Sequence, residues 1–157
     1  MSESSAQRVS IVIPVYRGET TLPTLIDEVE PLTNLQMTPD GKPYVISEVI
    51  LVHDCGPDRS DLVIEALHEK YPFVHLVWLS KNFGQHAATF CGIANARGTW
   101  VVTLDDDLEH PPESIPDLLA KAQDGYSLVY GVYPDRSHAG WRNLTSDLAR
   151  KLFRLAI

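Results

Sequence analysis

Asp105, Asp106 and Asp107 follow a short apolar run, and Glu109 follows them, in the stretch VTLDDDLEHPP at 102–112. Four carboxylates this close repel one another unless something cationic holds them together. At a strand end, side chains alternate with period two. Asp105 and Asp107 are therefore expected to point one way and Asp106 the other. Two carboxylates aimed together, with Glu109 two residues on, suit a hard divalent cation with oxygen ligands. Mg2+ or Mn2+ in such a site keeps some of its water and bridges to substrate phosphates. The plain alternative is a solvated acidic turn before a helix, with Glu113 favoured by the helix dipole. The triplet's place directly after a buried strand favours the metal.

Glycine-based phosphate cradles are missing. The first strand runs into PVYRGE rather than GxGxxG, and there is no GxxxxGK[ST]. Phosphates bound here must be neutralised by a metal and by side chains.

The elements that position these residues follow from hydrophobic pattern. Continuous apolar runs predict buried strands at 8–16, 45–54, 73–80 and 99–105, and a further strand at 126–133. Leu22, Leu25, Ile26 and Val29 fall at helical spacing, and Pro31 ends that helix. Further helices are expected from Asp58 or Ser60 to about Lys70, over 84–98, and from Pro112 to Gly125. TNLQMTPDGKPY reads as a loop with a Pro-Asp-Gly turn. Leu144, Leu148, Leu152 and Leu155 share one face of a last helix. Strand–helix alternation means a mainly parallel α/β sheet flanked by helices. In such sheets ligands bind at the carboxyl ends of the strands, where strand order reverses. The loops to read are therefore PVYRGE, HDCGPD, SKNFGQH, DDDLEH and YPDR.

Length and charge bound the rest. The chain has 157 residues and a net charge of −8, which argues for one domain and against nucleic acid as the main partner. From Arg136 onward five basic residues meet one acidic residue, so a basic tail follows an acidic body. Cys55 and Cys91 lie far apart and suggest neither a disulfide framework nor a zinc site. MSESSAQR has no apolar signal core, and no apolar run reaches the ~20 residues of a membrane span. A cytoplasmic protein is expected. The basic amphipathic helix over 136–157 is read first as a packing or dimer-forming face, and second as a peripheral contact with an anionic membrane at its inner face.

Taken together, VSIVIPVYRGETTLPTLI, EVILVHDCGPDRS, LSKNFGQHAATFCGIANARGTWVVTLDDDLEHPPESIPDLL and LVYGVYPDRS resemble the family 2 glycosyltransferases, which have the GT-A fold. Within that family the motifs are similar to the polyisoprenyl-phosphate branch, the dolichyl- and undecaprenyl-phosphate sugar transferases. The resemblance covers roughly 9–153. It implies a short lead-in over 1–8, a nucleotide-sugar-binding domain over 9–135, a UDP- or GDP-sugar donor, and an inverting, metal-dependent transfer to a polyisoprenyl phosphate. By motif, Pro14, Tyr16 and Glu19 would line the nucleotide pocket and Asp54 would contact the base. Asp105 and Asp107 would be the DxD pair, with Asp106 on the sugar side. Glu109 would stand where the branch has a metal-holding glutamine. Arg136 would meet donor or acceptor phosphate, and KNFGQHAA would lie close to the donor. Asp107 and Arg136 are the catalytic candidates. The metal on the aspartates, with Arg136 or Lys81, would stabilise the departing diphosphate.

Several positions depart from the family pattern. His53 replaces an acidic or asparagine residue, Arg17 and Gly18 replace Asn-Glu, and Tyr133 replaces an arginine. Relatives also continue well past 157, so the chain reads as a truncated member. The competing function is a nucleotide-sugar-binding or assembly module without turnover. A phosphotransfer domain fits poorly, because its nucleophilic aspartates would follow the first strand rather than the fourth.

Overall fold

The computed structural model describes residues 6–131. β1 (Gln7–Val15) is the centre of the sheet. It pairs in parallel with β3 (Pro43–His53) on one side and with β5 (Trp100–Thr103) on the other. β4 (Val74–Trp78) extends the sheet in parallel beyond the second half of β3. A short β2 (Gln36–Met37) runs antiparallel to the first residues of β3. β2 lies in the stretch expected to be a loop. The Pro-Asp-Gly turn is there, with Gly41 at φ 80° and the Thr38 amide donating to the Lys42 carbonyl at 2.9 Å. Its two flanks pair briefly and so become a hairpin.

Each face of β1 buries a different layer. Val9, Ile11, Ile13 and Val15 alternate onto one face. They pack against Leu22, Leu25, Ile26 and Val29 of α1 (Leu22–Val29), Ile64 and Leu67 of α2 (Ser60–Lys70), and Ile115 and Leu119 of α4 (Ile115–Ala122). Val12 faces the other way, with Ile50 and Val52 of β3, against Ala88 of α3 (Gln85–Asn95). α3 comes so close that a Cβ on Gly92 would sit 2.3 Å from Val12 Cγ1.

The long β3 changes parity partway. Val9 pairs with Ile46, but Ser10 pairs with Glu48, so Ser47 is bulged out. Tyr44 and Ile46 before the bulge and Val49 and Leu51 after it therefore reach the same core. The bulge also turns Glu48 inward, where it is 4% exposed. Its Oε1 accepts the Ser10 hydroxyl and the Arg97 amide, both at 2.6 Å, and Ser10 Oγ accepts the Gly98 amide at 2.8 Å. Burial pushes the Glu48 carboxyl up, but these hydrogen bonds, together with the charges of His75 and Arg97, outweigh it and hold the group below the ordinary glutamate range. The network ties the turn before β5 to the middle of the sheet.

From β1 the chain moves outward through β3 to β4, then α3 carries it back past β1 to β5. Strand order reverses at β1, and the carboxyl ends of β1, β3 and β5 meet there. The expected strand at 126–133 is not formed over 126–131, where Tyr126, Leu128 and Tyr130 are exposed. The run has strand-like composition, but propensity without a neighbouring strand does not make one. The helix expected over 136–157 lies outside the described residues, as does Arg136.

Candidate active site

The backbone ladder continues one step past each strand end. The Asp54 amide donates to the Val15 carbonyl at 2.9 Å, the Leu79 amide to His53 at 3.0 Å, and the Leu104 amide to Val12 at 3.0 Å. These steps deliver the loops after β1, β3, β4 and β5 to one edge of the sheet. There they surround a cleft of about 370 Å³. Pro14, Val15 and Tyr16 form its β1 side and Asp54 its β3 side. Asn82, Gly84 and Gln85 bring the start of α3, and Asp105, Asp106 and Asp107 close it from β5.

The triplet does not lie on the strand. β5 ends at Thr103, and the three aspartates form the turn beyond it, where alternation no longer applies. All three line the cleft, including Asp106, which alternation alone sets opposite to its neighbours and which the motif places on the sugar side. Asp106 turns toward β1 and accepts the Tyr16 amide at 3.4 Å. Burial pushes its carboxyl up, the Tyr16 and Arg17 amides pull it back in part, and the charge of Asp107 pushes the same way as burial. Asp107 Oδ1 accepts the Glu109 amide at 2.9 Å, around Leu108 at φ 61°. A leucine in the left-handed region is uncommon and is held there by its surroundings. Asp105 Oδ1 accepts the side-chain amide of Gln85 at 2.6 Å.

Asp54 is 2% exposed, and its carboxylate is engaged. Its two oxygens accept the amides of Phe83 at 2.7 Å and Gly84 at 2.8 Å. Glu19 lies outside the cleft and clasps two loops: its Oε2 accepts the Arg59 amide at 3.1 Å, and its own amide donates to Asp58 at 3.1 Å. Those loops touch so closely that a Cβ on Gly56 would lie 1.6 Å from the Tyr16 carbonyl oxygen. Lys81 sets its ammonium 5.1 Å from the Phe83 ring and is not a lining residue. Glu109 is exposed, and only its backbone reaches the triplet.

The structure thus brings together Pro14, Tyr16, Asp54, Asp105, Asp106 and Asp107, and leaves Glu19, Lys81 and Glu109 off the cleft wall. It adds Val15, Asn82, Gly84 and Gln85, three of them from the KNFGQHAA segment. The signal was a glycine at a strand-to-helix junction: Gly84 sits at φ 90° immediately before α3.

The donor chemistry fits a hard cation. Oxygens are the only side-chain donors of the triplet, and Asp105 and Asp107 each use one oxygen in the bonds above. Among the described residues no three acidic, histidine or cysteine side chains form a closed metal cage. Mg2+ and Mn2+ do not need one, since one or two carboxylates plus phosphate oxygens and water suffice. Among the described residues no lysine or arginine lines the cleft, whose wall carries four carboxylates.

A family model described as "Glycosyl transferase family 2" matches residues 10–155. The chain belongs to that family. This family 2 domain is 40% identical over 149 residues to an undecaprenyl-phosphate 4-deoxy-4-formamido-L-arabinose transferase of Pectobacterium carotovorum, across 94% of this chain and 43% of that protein. A Shewanella sediminis protein of the same description is 40% identical over 148 residues, across 93% of this chain and 42% of its own. The family 2 chain therefore spans less than half the length of these curated relatives. Among solved structures it resembles S. aureus TarS 1–349 in complex with UDP-GlcNAc, with a TM-score of 0.58 and 20% identity over 84% of this chain and 37% of that one. It also resembles the mannosyltransferase PcManGT of Pyrobaculum calidifontis in complex with GDP-Man and Mn2+, with a TM-score of 0.58 and 20% identity over 73% of this chain and 32% of that one. These likenesses establish the GT-A fold that the motifs implied. Among the described residues no helix is long and apolar enough to cross a membrane.

Proposed function

We propose that this family 2 domain binds a UDP- or GDP-linked sugar with Mg2+ or Mn2+ and transfers the sugar, with inversion, to a polyisoprenyl phosphate. One observation carries the reading: among the described residues, four carboxylates and no basic side chain line a cleft at the strand-order reversal. A diphosphate enters such a cleft only with a cation. Asp105 and Asp107 would hold that cation, which supplies Lewis-acid stabilisation of the leaving diphosphate. Tyr16 and Pro14 form the wall against which the nucleotide rests, and Asp54 meets the base while it anchors the loop before α3. Asp106, already partly relieved by the Tyr16 amide, faces the sugar. Lys81, and by motif Arg136, which lies outside the described residues, would meet phosphate.

Inversion follows from a single displacement at the anomeric carbon, with the acceptor attacking opposite the diphosphate. A phosphate acceptor is already anionic and needs little help from a general base. The relatives named for undecaprenyl-phosphate sugar transfer support this acceptor. Their greater length supports a second reading, in which this chain binds the donor and a further segment completes turnover.

Incubation of the chain with labelled UDP- and GDP-sugars, Mn2+ and undecaprenyl phosphate separates the two. Labelled lipid is the expected product. Donor binding with no labelled lipid favours the second reading, and no binding of any nucleotide sugar rejects both.

A further inference from the structure

The loops after β1 and β3 form two sides of the cleft, through Tyr16 and Asp54, and they are joined again outside it. The Glu19 amide donates to Asp58 Oδ2, and Glu19 Oε2 accepts the Arg59 amide in return, each at 3.1 Å. We infer that Glu19 is a positioning residue that sets donor affinity from outside the cleft, by holding the Tyr16 loop at the spacing the nucleoside half of the donor requires. This inference rests on the donor binding proposed above.

Tyr16 stands beyond the sheet. β1 ends at Val15, and the Asp54 amide on the Val15 carbonyl continues the ladder one step further. Past that rung the Tyr16 amide reaches Asp106 at 3.4 Å, and the ring, 43% exposed, meets the Arg17 guanidinium of its own loop at 5.5 Å. The clasp through Glu19 is a shorter tie, and it comes from the β3 side. It is also rooted in a helix. Asp58 Oδ1 accepts the Ser60 hydroxyl at the start of the eleven-residue α2. Burial pushes the Asp58 carboxyl up, but hydrogen bonds from Ser60, from the Glu19 amide and from its own amide hold it below the ordinary aspartate range. It therefore stays an ionised acceptor at neutral pH, the stronger kind of partner for an amide. Between the rung and the clasp, Gly56 meets the Tyr16 carbonyl with no room for a side chain. The two loops are in backbone contact there, so slack in the clasp reaches Tyr16 directly. What Glu19 supplies to the clasp is an acceptor oxygen. A carboxamide has the same shape and keeps one such oxygen. Glutamine can close the clasp and alanine cannot.

The test uses the full 157-residue chain. Mn2+ with UDP, and Mn2+ with GDP, are titrated calorimetrically into wild type, Glu19→Ala and Glu19→Gln. Thermal midpoints and amide hydrogen exchange are measured without ligand. Glu19→Ala is expected to remain folded and to bind the nucleotide that wild type binds about tenfold more weakly, because the Tyr16 loop must then be ordered on binding. Its Asp54 amide, which Glu19 does not touch, should exchange faster in the absence of ligand. Glu19→Gln is expected to match wild type in both affinity and protection, and both variants should keep the requirement for Mn2+. Wild-type affinity in Glu19→Ala, or weakened binding in Glu19→Gln, overturns the inference while leaving the donor site standing. So does weaker binding by Glu19→Ala with unchanged exchange at Asp54, which would make Glu19 a direct donor contact. Failure of wild type to bind either nucleotide removes the donor site itself, and the inference with it.

Discussion

Asp54, at the end of β3, accepts the backbone amide of Gly84 thirty residues later, and with its other oxygen that of Phe83. A carboxylate expected to serve a ligand is also the anchor of the loop that forms the opposite wall. Replacing it by alanine strands two amide donors. Asp54→Ala is predicted to cost about 1.5–3 kcal/mol for each charge-assisted bond that water does not replace. Hydrogen exchange read at Phe83 and Gly84 reports it directly. Their protection should fall in the variant while that of β1 persists, and unchanged protection at both would show that the anchor is idle.

Asp106 is predicted to trade stability for function. Burial holds its carboxyl above the ordinary aspartate range. A raised acid contributes stability that is full below its unfolded value and is lost as pH rises through the folded value. At neutral pH the cation-free protein therefore carries a strained ionised group. Asp106→Asn should raise the thermal midpoint at neutral pH, and the gain should shrink toward acid. An equal gain at every pH would show that the charge is not its source.

The opposite sign holds at Glu48. Its carboxyl sits below the ordinary glutamate range, so its contribution is present above that range and lost as pH falls through the folded value. Ser10→Ala removes one of its donors and strands the Gly98 amide, at a predicted cost of about 1–3 kcal/mol. Urea unfolding of the variant across an acid series should show this penalty largest near neutrality and smaller once Glu48 is protonated.

Gly92 marks the closest approach of α3 to the sheet. A methyl group there meets Val12 at 2.3 Å and Val52 at 3.0 Å. Gly92→Ala should cost about 1–3 kcal/mol by overpacking. The expected signature is a lower urea midpoint with an unchanged slope. It should also weaken donor binding, because the start of the same helix carries Gly84 and Gln85 into the cleft.

What the sequence revealed depended on whether the signal was local and periodic. β1 and β3 are continuous apolar runs, and α1 has four buried residues at helical spacing, so their identity is written in short windows. The acidic triplet was legible as chemistry, because three aspartates in a row are costly without a purpose. Its orientation was not, because period two ends with the strand at Thr103 and the turn brings Asp106 back into the cleft. The bulge at Ser47 was hidden for a related reason: it flips the parity within a run that is apolar on both faces. β2 is too short to leave a pattern. Gln85 was the hardest to see, since its partner is twenty residues away and only the return of α3 across the sheet brings the two together. The family motifs did cross that distance, placing the KNFGQHAA segment by the donor without singling out the residue.

The most direct test of the central claim is the binding of UDP- and GDP-sugars with and without Mn2+, to wild type and to Asp107→Ala. Asp107 lines the cleft, and its one hydrogen bond among the described residues is to the Glu109 amide, so its removal should leave the fold standing. The account predicts binding by wild type that requires Mn2+ and disappears in Asp107→Ala at an unchanged thermal midpoint. Binding that is as tight without Mn2+, or that survives in Asp107→Ala, would contradict it.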